Sequence, residues 1–513
     1  MNTLSKYLVI ERTGKKEWAI LSILLFLFIV RTFLVFDMGL MPQDAYYFFY
    51  SEHLDLSYFD HPSGIAWVLW LFTTLLGKKV FVVKLAVTIV TFCTEAAFIM
   101  LATRFMNFKG VVQATILLFS TVLISILSLV ATPDVPLLLF WTLSILALYP
   151  AIFQNKKGYW LLAGVLMGLA FNSKYTAVFL PAGLLLYLVV SPVHRKLLFT
   201  GWPYFCLLLF AIMTLPVIIW NYNHDFASIK FQSVNRAEEA GNDYFNITNI
   251  LGVIGHQAFL LVPILFFALF GMLRSMYKKY MLKLSTIPAQ QLFLFSFFAP
   301  VFLGFLFIAF FYWVKINWMM PAYITGILLA SMYIKPKWVP YQLIGSLVIH
   351  LVMAIEIIFY PFEVKSDDTW MGWDQLADQV KEISKSHPDY FIFSADDYKT
   401  SAVLNFYFDE MVYSKNIIGQ PALQFDYVNT DLQTLQGKNA LFIDSHPDLS
   451  PCGNYPPELN RYFAQVTSLP PILVKKGGKL VRAFCVYACM QYKPPKAVPI
   501  DYSFQPVATQ HHE

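Results

Sequence analysis

Apolar stretches of bilayer-spanning length recur through the first 360 residues, near 17–36, 80–102, 111–131, 135–153, 158–172, 176–191, 200–220, 250–273, 291–313, 318–334 and 341–361. A helix needs about 20 mainly apolar residues to cross the hydrocarbon core, so the pattern predicts roughly eleven transmembrane helices. The stretch 65–76 (IAWVLWLFTTLL) is equally apolar but too short to cross, and is expected to be interfacial or re-entrant. Beyond 362 the pattern changes. Segments 389–395, 439–445 and 480–492 read as strands, and 373–383 and 398–408 as helices. The expected organisation is therefore a membrane domain over 1–362 and a small extracytoplasmic α/β domain over 363–513. The final residues, with Pro494, Pro495 and Pro499, should be extended or mobile.

Composition agrees with this picture. Hydrophobic residues make up 58% of 513 and charged residues 13%, which excludes a soluble globule. The net charge of +5 matters through its placement. Lys6, Arg12, Lys15 and Lys16 precede a first stretch of full span length with no small-residue cleavage site after it, which predicts an uncleaved anchor with a cytoplasmic N-terminus. Alternate loops are basic: Arg104 to Lys109, Lys156–Lys157, His194 to Lys196, Arg274 to Lys283, and Lys335 with Lys337. The positive-inside rule assigns these to the cytoplasm. The opposite face receives PQDAYY (42–47), YFDHP (58–62), TPD (132–134), NSKYT (172–176), WNYNHD (220–225), VKINW (314–318) and the C-terminal segment. Cys452, Cys485 and Cys489 lie in that segment, an odd trio that permits one disulfide of unspecified pairing, while Cys93 and Cys206 fall inside spans as expected core residues.

Carboxylates, imidazoles and amines at a bilayer edge are costly to desolvate, so they usually serve an ion, a substrate or a proton. Asp44 is a candidate general base, or a helix cap. Asp60 and His61, fixed by Pro62, suit a metal, a sugar hydroxyl or a phosphate, or form a plain surface turn. Asp134, between Pro133 and Pro136, can cap a span or support the site. Lys174 can neutralise a lipid phosphate as a point charge, or snorkel to the interface. Asn221, His224 and Lys315 add polar and cationic contacts suited to a head group or phosphate. Together the set fits an acceptor activated by a carboxylate and a departing phosphate stabilised by cations. No phosphate-binding loop, nucleophile elbow or zinc motif competes.

The strings QDAYY, YFDHPS, TPDVP, SKYTA and WNYNH, in that order, resemble the membrane glycosyltransferases of the protein-mannosyltransferase type (GT-C fold, glycosyltransferase family 39). Among these are bacterial enzymes that move aminoarabinose from undecaprenyl phosphate to lipid A. The resemblance covers about 40–360. It implies a polyprenyl-phosphate sugar donor, a lipid or glycan acceptor, membrane lipids as surroundings, no nucleic-acid partner, and a multi-pass protein of the bacterial inner membrane. Asp44 and Asp60 would be the catalytic acids. His61, Asp134, Lys174, Asn221, His224 and Lys315 would bind substrate or phosphate. A divalent metal ion on Asp44 and Asp60 is left open. Two departures stand out: Gln43 sits where an acid is usual, and Ser63 replaces a second proline. A flippase for lipid-linked sugars is the alternative of another class. A protein O-mannosyltransferase is the alternative within this one.

Overall fold

A computed structural model describes residues 15–235 and 246–495. Lys6, Arg12, the far end of the 221–236 loop and the segment from residue 496 onward, including Pro499, lie outside the described residues. The first half is helical: α1 (Lys15–Asp37), α2 (Pro42–Glu52), α3 (Gly64–Leu76), α4 (Val80–Phe105), α5 (Phe108–Phe119), α6 (Val122–Leu129), α7 (Asp134–Phe153), α8 (Gly158–Phe171), α9 (Phe179–Val190) and α10 (Trp202–Asn223). There follow α11 (Ile247–Leu261), α12 (Pro263–Tyr280), α13 (Ala289–Ile308), α14 (Met320–Tyr333) and α15 (Val339–Phe359). Among the described residues six helices are long and apolar enough to cross a membrane, or eight if each of two bent pairs is one span. The chain is a multi-pass membrane protein.

The stretch 250–273, expected as one straight span, is two helices, α11 and α12, bent by 111°. The cause is local. Pro263 opens α12, and Val262 is held at φ 64°, a conformation that cannot continue a helix. The short apolar stretch is helix α3, 13 residues long, as its length implied. Cys206 is buried, whereas Cys93, expected in the core, is exposed on its helix.

What holds the bundle is visible along α4. Lys84, Thr88, Thr91 and Glu95 share one face at helical spacing, and all are buried. Lys84 Nζ donates to the Leu129 carbonyl at 2.7 Å, Thr88 Oγ1 to Ser128 at 2.7 Å and Thr91 Oγ1 to Leu127 at 3.0 Å. These carbonyls belong to the last turn of α6, which has no further helix to satisfy them. Glu95 pairs with Arg31 of α1 at 2.5 Å. Polar side chains are thus the links between helices, as expected where apolar burial gives no preference for one partner over another. Small residues serve the same end: a Cβ on Gly168 of α8 would collide with Met213 of α10.

After α15 the chain forms α16 (Trp373–Lys385), β1 (Phe391–Ser394), α17 (Lys399–Tyr407), β2 (Val412–Tyr413), β3 (Ala440–His446), β4 (Gln465–Lys476) and β5 (Lys479–Met490). The strands make one sheet in the order β2-β1-β3-β5-β4. The β1–β2 and β1–β3 pairs are parallel, and β5 runs antiparallel to both β3 and β4, with Phe442 opposite Tyr487. The sequence pattern missed β4 because Pro470 and Pro471 interrupt it. The strand absorbs them with a register shift between Leu469 and Ile472, at the sheet edge where proline is tolerated. Cys452 and Cys485 form the disulfide, and Cys489 is buried and free.

Candidate active site

The polar motifs meet on one side of the bundle. Helix α2 begins at Pro42, which needs no amide partner there. Asp44 sits in its first turn and accepts the Met41 amide at 2.9 Å, closing the N-terminus. Its other oxygen accepts the Ala131 amide at 2.7 Å, and Lys84 Nζ stands 2.5 Å away. Neither Asp44 nor Lys84 has any exposed side-chain surface. Asp44, expected as a base, is therefore sealed: an ammonium and two amides occupy its oxygens, and no substrate hydroxyl can reach it.

Asp134 and Lys174 tell a similar story. Lys174 Nζ lies 2.8 Å from both Asp134 oxygens, and Asn317 Nδ2 donates to Asp134 at 2.8 Å. Both charged side chains are buried. Pro133 is the N-cap of α7 and Asp134 lies in its first turn, with its oxygens bonded to Lys174 and Asn317. Lys174, expected on a phosphate, spends its charge on Asp134.

The loop carrying YFDHP is held by its surroundings. Ser57 and Pro62 bridge across it, and the Gly64 amide donates to the Asn172 carbonyl at 2.7 Å. A Cβ on Gly64 would lie 2.6 Å from Ser173 Oγ, so only glycine allows this approach. The loop presents Asp60, which is half-buried. Tyr46 donates to its Oδ1 at 3.1 Å and Tyr50 donates to the same oxygen. Burial, then the charge of Asp60, pushes the Tyr46 phenol well above its ordinary value, so it stays a donor. His61 is half-buried next to Tyr47, ring centres 6.0 Å apart.

Two of the remaining predicted residues, Asn221 and His224, sit beside this loop. Asn221 closes the end of α10, accepting the Ile229 amide at 3.1 Å and donating to the Val217 carbonyl at 3.0 Å. His224 stacks on Trp220 at 4.1 Å, and the Trp220 indole donates to Asp55 at 2.9 Å. Lys315 is exposed, two residues before Asn317.

Sequence reasoning missed the contribution of the C-terminal segment. Gln424 accepts the Phe59 amide at 2.8 Å, and its own amide donates to Tyr46 Oη at 3.2 Å. Tyr398 packs on Tyr46 at 4.4 Å. Burial, then the charges of Asp368 and Asp60, raises the Tyr398 phenol. Gln43 donates to Asp368 at 3.2 Å, and Lys399 lies 3.2 Å from the same carboxylate. Tyr427 faces His224 at 5.6 Å. The Gln43–Asp368, Phe59–Gln424 and Tyr46–Gln424 contacts each span more than 300 residues of sequence, and only a fold can reveal them.

A divalent ion on Asp44 and Asp60 does not fit this donor set. Lys84 and two amides already fill Asp44, and the described residues contain no group of three His, Cys, Asp or Glu suited to a metal.

Comparison with known proteins bears on the fold and on the motifs. The structure matches crystal structures of ArnT from Cupriavidus metallidurans, one in the apo state and one bound to undecaprenyl phosphate. TM-scores are 0.59 and 0.60 at 13% and 12% identity, covering 91–92% of this chain and 97–98% of that one. The fold is GT-C. In sequence, the family described as dolichyl-phosphate-mannose-protein mannosyltransferase matches residues 60–220. A lipid A galacturonosyltransferase, RgtD of Rhizobium johnstonii, is 27% identical over 306 residues, 58% of this chain and 61% of that protein. The resemblance read in YFDHP and SKYTA thus stands as a similarity: the chain has a GT-C fold and is similar to protein-mannosyltransferase-type enzymes over residues 60–220. In this GT-C chain the motifs divide between buried ion pairs and a half-buried acid roofed by the C-terminal segment.

Proposed function

We propose that this chain is an integral membrane glycosyltransferase that moves a sugar from a polyprenyl-phosphate donor to an extracytoplasmic acceptor such as lipid A or another envelope glycan. The observation that carries the reading is the convergence of QDAYY, YFDHP, TPD and SKY on one face, tied by Asp44 to Ala131, Gly64 to Asn172 and Lys174 to Asp134. The similarity to RgtD, a lipid A galacturonosyltransferase, and to ArnT, seen bound to undecaprenyl phosphate, points the same way.

In the proposed reaction Asp60 accepts the proton of an acceptor hydroxyl. The hydroxyl oxygen attacks the anomeric carbon, the bond from that carbon to the phosphate oxygen breaks, and the phosphate leaves with the electron pair. A single displacement of this kind inverts the anomeric centre. His61 and Lys315 stabilise the departing phosphate, and Tyr46 and Tyr50 hold the Asp60 carboxylate. Asp44, Asp134 and Lys174 act as positioning residues, and Asn221 and His224 shape the wall beside them. Asp44 is thereby moved from base to support, because nothing can reach its oxygens.

The same reading sets the topology. Counting each bent pair as one span and adding α8, α9 and α14 gives eleven crossings, with α3 interfacial, an inside N-terminus and the region after about 362 outside the bacterial inner membrane. The Cys452–Cys485 disulfide supports this, since such bonds persist in oxidising compartments.

The test is transfer from labelled polyprenyl-phosphate sugar in membranes, with mass spectrometry of lipid A identifying the product. Asp60→Asn should lower turnover by about 10²–10⁴-fold, the usual worth of a general base, with the melting temperature unchanged. Normal turnover by that variant would remove Asp60 from the role, and product absent from wild-type membranes would remove the reading itself.

A further inference from the structure

A second polar pocket lies on the other side of α2. Tyr46 and Tyr50 face Asp60, whereas Phe48 and Glu52, each two residues further along the helix, face away from it. Between α2, α3 and the start of α4 is a cavity of about 470 Å³, lined among others by Ser51, Glu52, Trp70, Thr73, Thr74 and Lys78. It is apart from the transfer site and has no part in the reaction above.

Its chemistry is specific. Lys78 Nζ and Glu52 Oε1 are 2.7 Å apart, and both side chains are about one-third exposed, at 33% and 34%. The ammonium is fixed: it donates to the Asn405 carbonyl at 3.3 Å and lies 5.3 Å from the Phe48 ring centre. The hydroxyls next to it have already spent their protons, Ser51 on the Phe48 carbonyl at 2.6 Å and Thr73 on the Leu69 carbonyl at 2.8 Å. Their lone pairs and the Glu52 carboxylate make the pocket rich in acceptors, and Lys78, paired side by side with Glu52, supplies one positive charge, so the pair is a fixed dipole that a zwitterion can match head to tail. Burial raises the Glu52 carboxyl and the nearby ammonium lowers it. Beside the cavity, α3 leaves Trp67, Trp70, Leu71, Leu75 and Leu76 exposed, an apolar strip at bilayer depth. A water-soluble anion would leave that strip and the acceptors unused. A purely anionic lipid would press its phosphate against Glu52.

We infer that this pocket seats the head group of a zwitterionic membrane lipid carrying a phosphate and a primary amine, with the phosphate on Lys78, the ammonium on Glu52 and the Ser51 and Thr73 oxygens, and the chains along α3. Trp70, 44% exposed, lines the same pocket and supplies an aromatic wall of the kind that attracts an ammonium. A quaternary amine, with no N–H to donate, binds less well.

The test uses the full chain in nanodiscs of equimolar phosphatidylethanolamine, phosphatidylglycerol and phosphatidylcholine. After transfer to detergent, native mass spectrometry counts the lipids retained. Phosphatidylethanolamine should be enriched over both others. Glu52→Gln should lower its retention about tenfold, the worth of one charge-assisted hydrogen bond. Trp70→Ala, at a lipid-facing position, should also lower it without moving the melting temperature. Equal retention of the three lipids, a preference for phosphatidylglycerol, or unchanged selectivity in Glu52→Gln would each overturn the inference. None of these readouts depends on sugar transfer, so the inference and the proposed reaction stand or fall separately.

Discussion

Asp44 and Asp60 flank the same aromatic helix and end in opposite circumstances. Asp44 is enclosed, with an ammonium and two amides on its oxygens. Asp60 is half-buried and accepts hydrogen bonds from the Tyr46 and Tyr50 hydroxyls. The difference follows from depth. Among packed helices an unpaired carboxylate is intolerable, so the fold neutralises it and in doing so fixes three segments together. Nearer the water boundary a carboxylate keeps contact with solvent, and it then remains able to take a proton. The same contrast recurs between the Asp134–Lys174 pair, both buried, and Asp368 over the site, which is exposed. Acids of similar sequence context thus serve either as ties or as reagents, according to what surrounds them.

The sharpest way to break the comparison is to unpair the tie. Asp44→Asn leaves Lys84 charged and buried, which should cost about 3–5 kcal/mol. The same cost is expected for Lys84→Met. Asp44→Asn with Lys84→Met together should recover part of the loss, because the unpaired charge is gone while an acceptor for the buried Ala131 amide is kept. Thermal unfolding of purified protein in detergent measures all three. If Asp44→Asn melted like wild type yet lost transfer, the sealed carboxylate would have to open in the working enzyme, and the assignment of Asp44 and Asp60 would reverse.

A gentler probe concerns the roof. Gln424 joins the C-terminal segment to the YFDHP loop through two bonds, one from Phe59 and one to Tyr46. Gln424→Ala leaves the buried Phe59 amide without its partner, a loss of about 1–3 kcal/mol at that contact. The expected result is a lower turnover with little change in overall melting, since the sheet's own core is untouched. Hydrogen exchange should rise at residues 57–62. Unchanged exchange there would mean that the loop is held by Gly64 and Asn172 alone.

How much of this was legible in the chain depends on the range of each interaction. The apolar stretches, helix α3 and the strands β1, β3 and β5 are local patterns, and the residues forming them identify themselves. So did the shared face of the polar motifs, which followed from charge placement in the loops. The partner of Asp44 did not. Yet the signal was present: Lys84 interrupts an apolar helix, and an ionisable group inside a span nearly always faces the bundle and pairs. Applied to Lys84, that rule would have demoted Asp44 from base to tie. Strand β4 was hidden by Pro470 and Pro471, and its edge position is a property of the sheet, not of the segment. Asp368, Tyr398 and Gln424 carried no motif at all.

The acid end of the same contrast answers to pH. Asp396 lies before α17, where it accepts the Thr400 amide at 3.1 Å and the Ser394 hydroxyl at 3.0 Å. Burial, reinforced by the negative charge of Asp367, pushes its carboxyl up to about 7. The unfolded chain ionises the same group near the ordinary carboxylate value, about 4. Between those limits the folded state binds more protons than the unfolded one, so stability must fall as pH rises through that window and level off above it. Asp396→Asn keeps an acceptor for the helix and has no proton to lose. Its melting temperature relative to wild type should therefore climb from about pH 4 to about pH 7 and then stay constant. A difference that is flat across that range would show that Asp396 is ionised in the fold, and that proximity to Asp367 is relieved by Arg482, 2.7 Å from that residue.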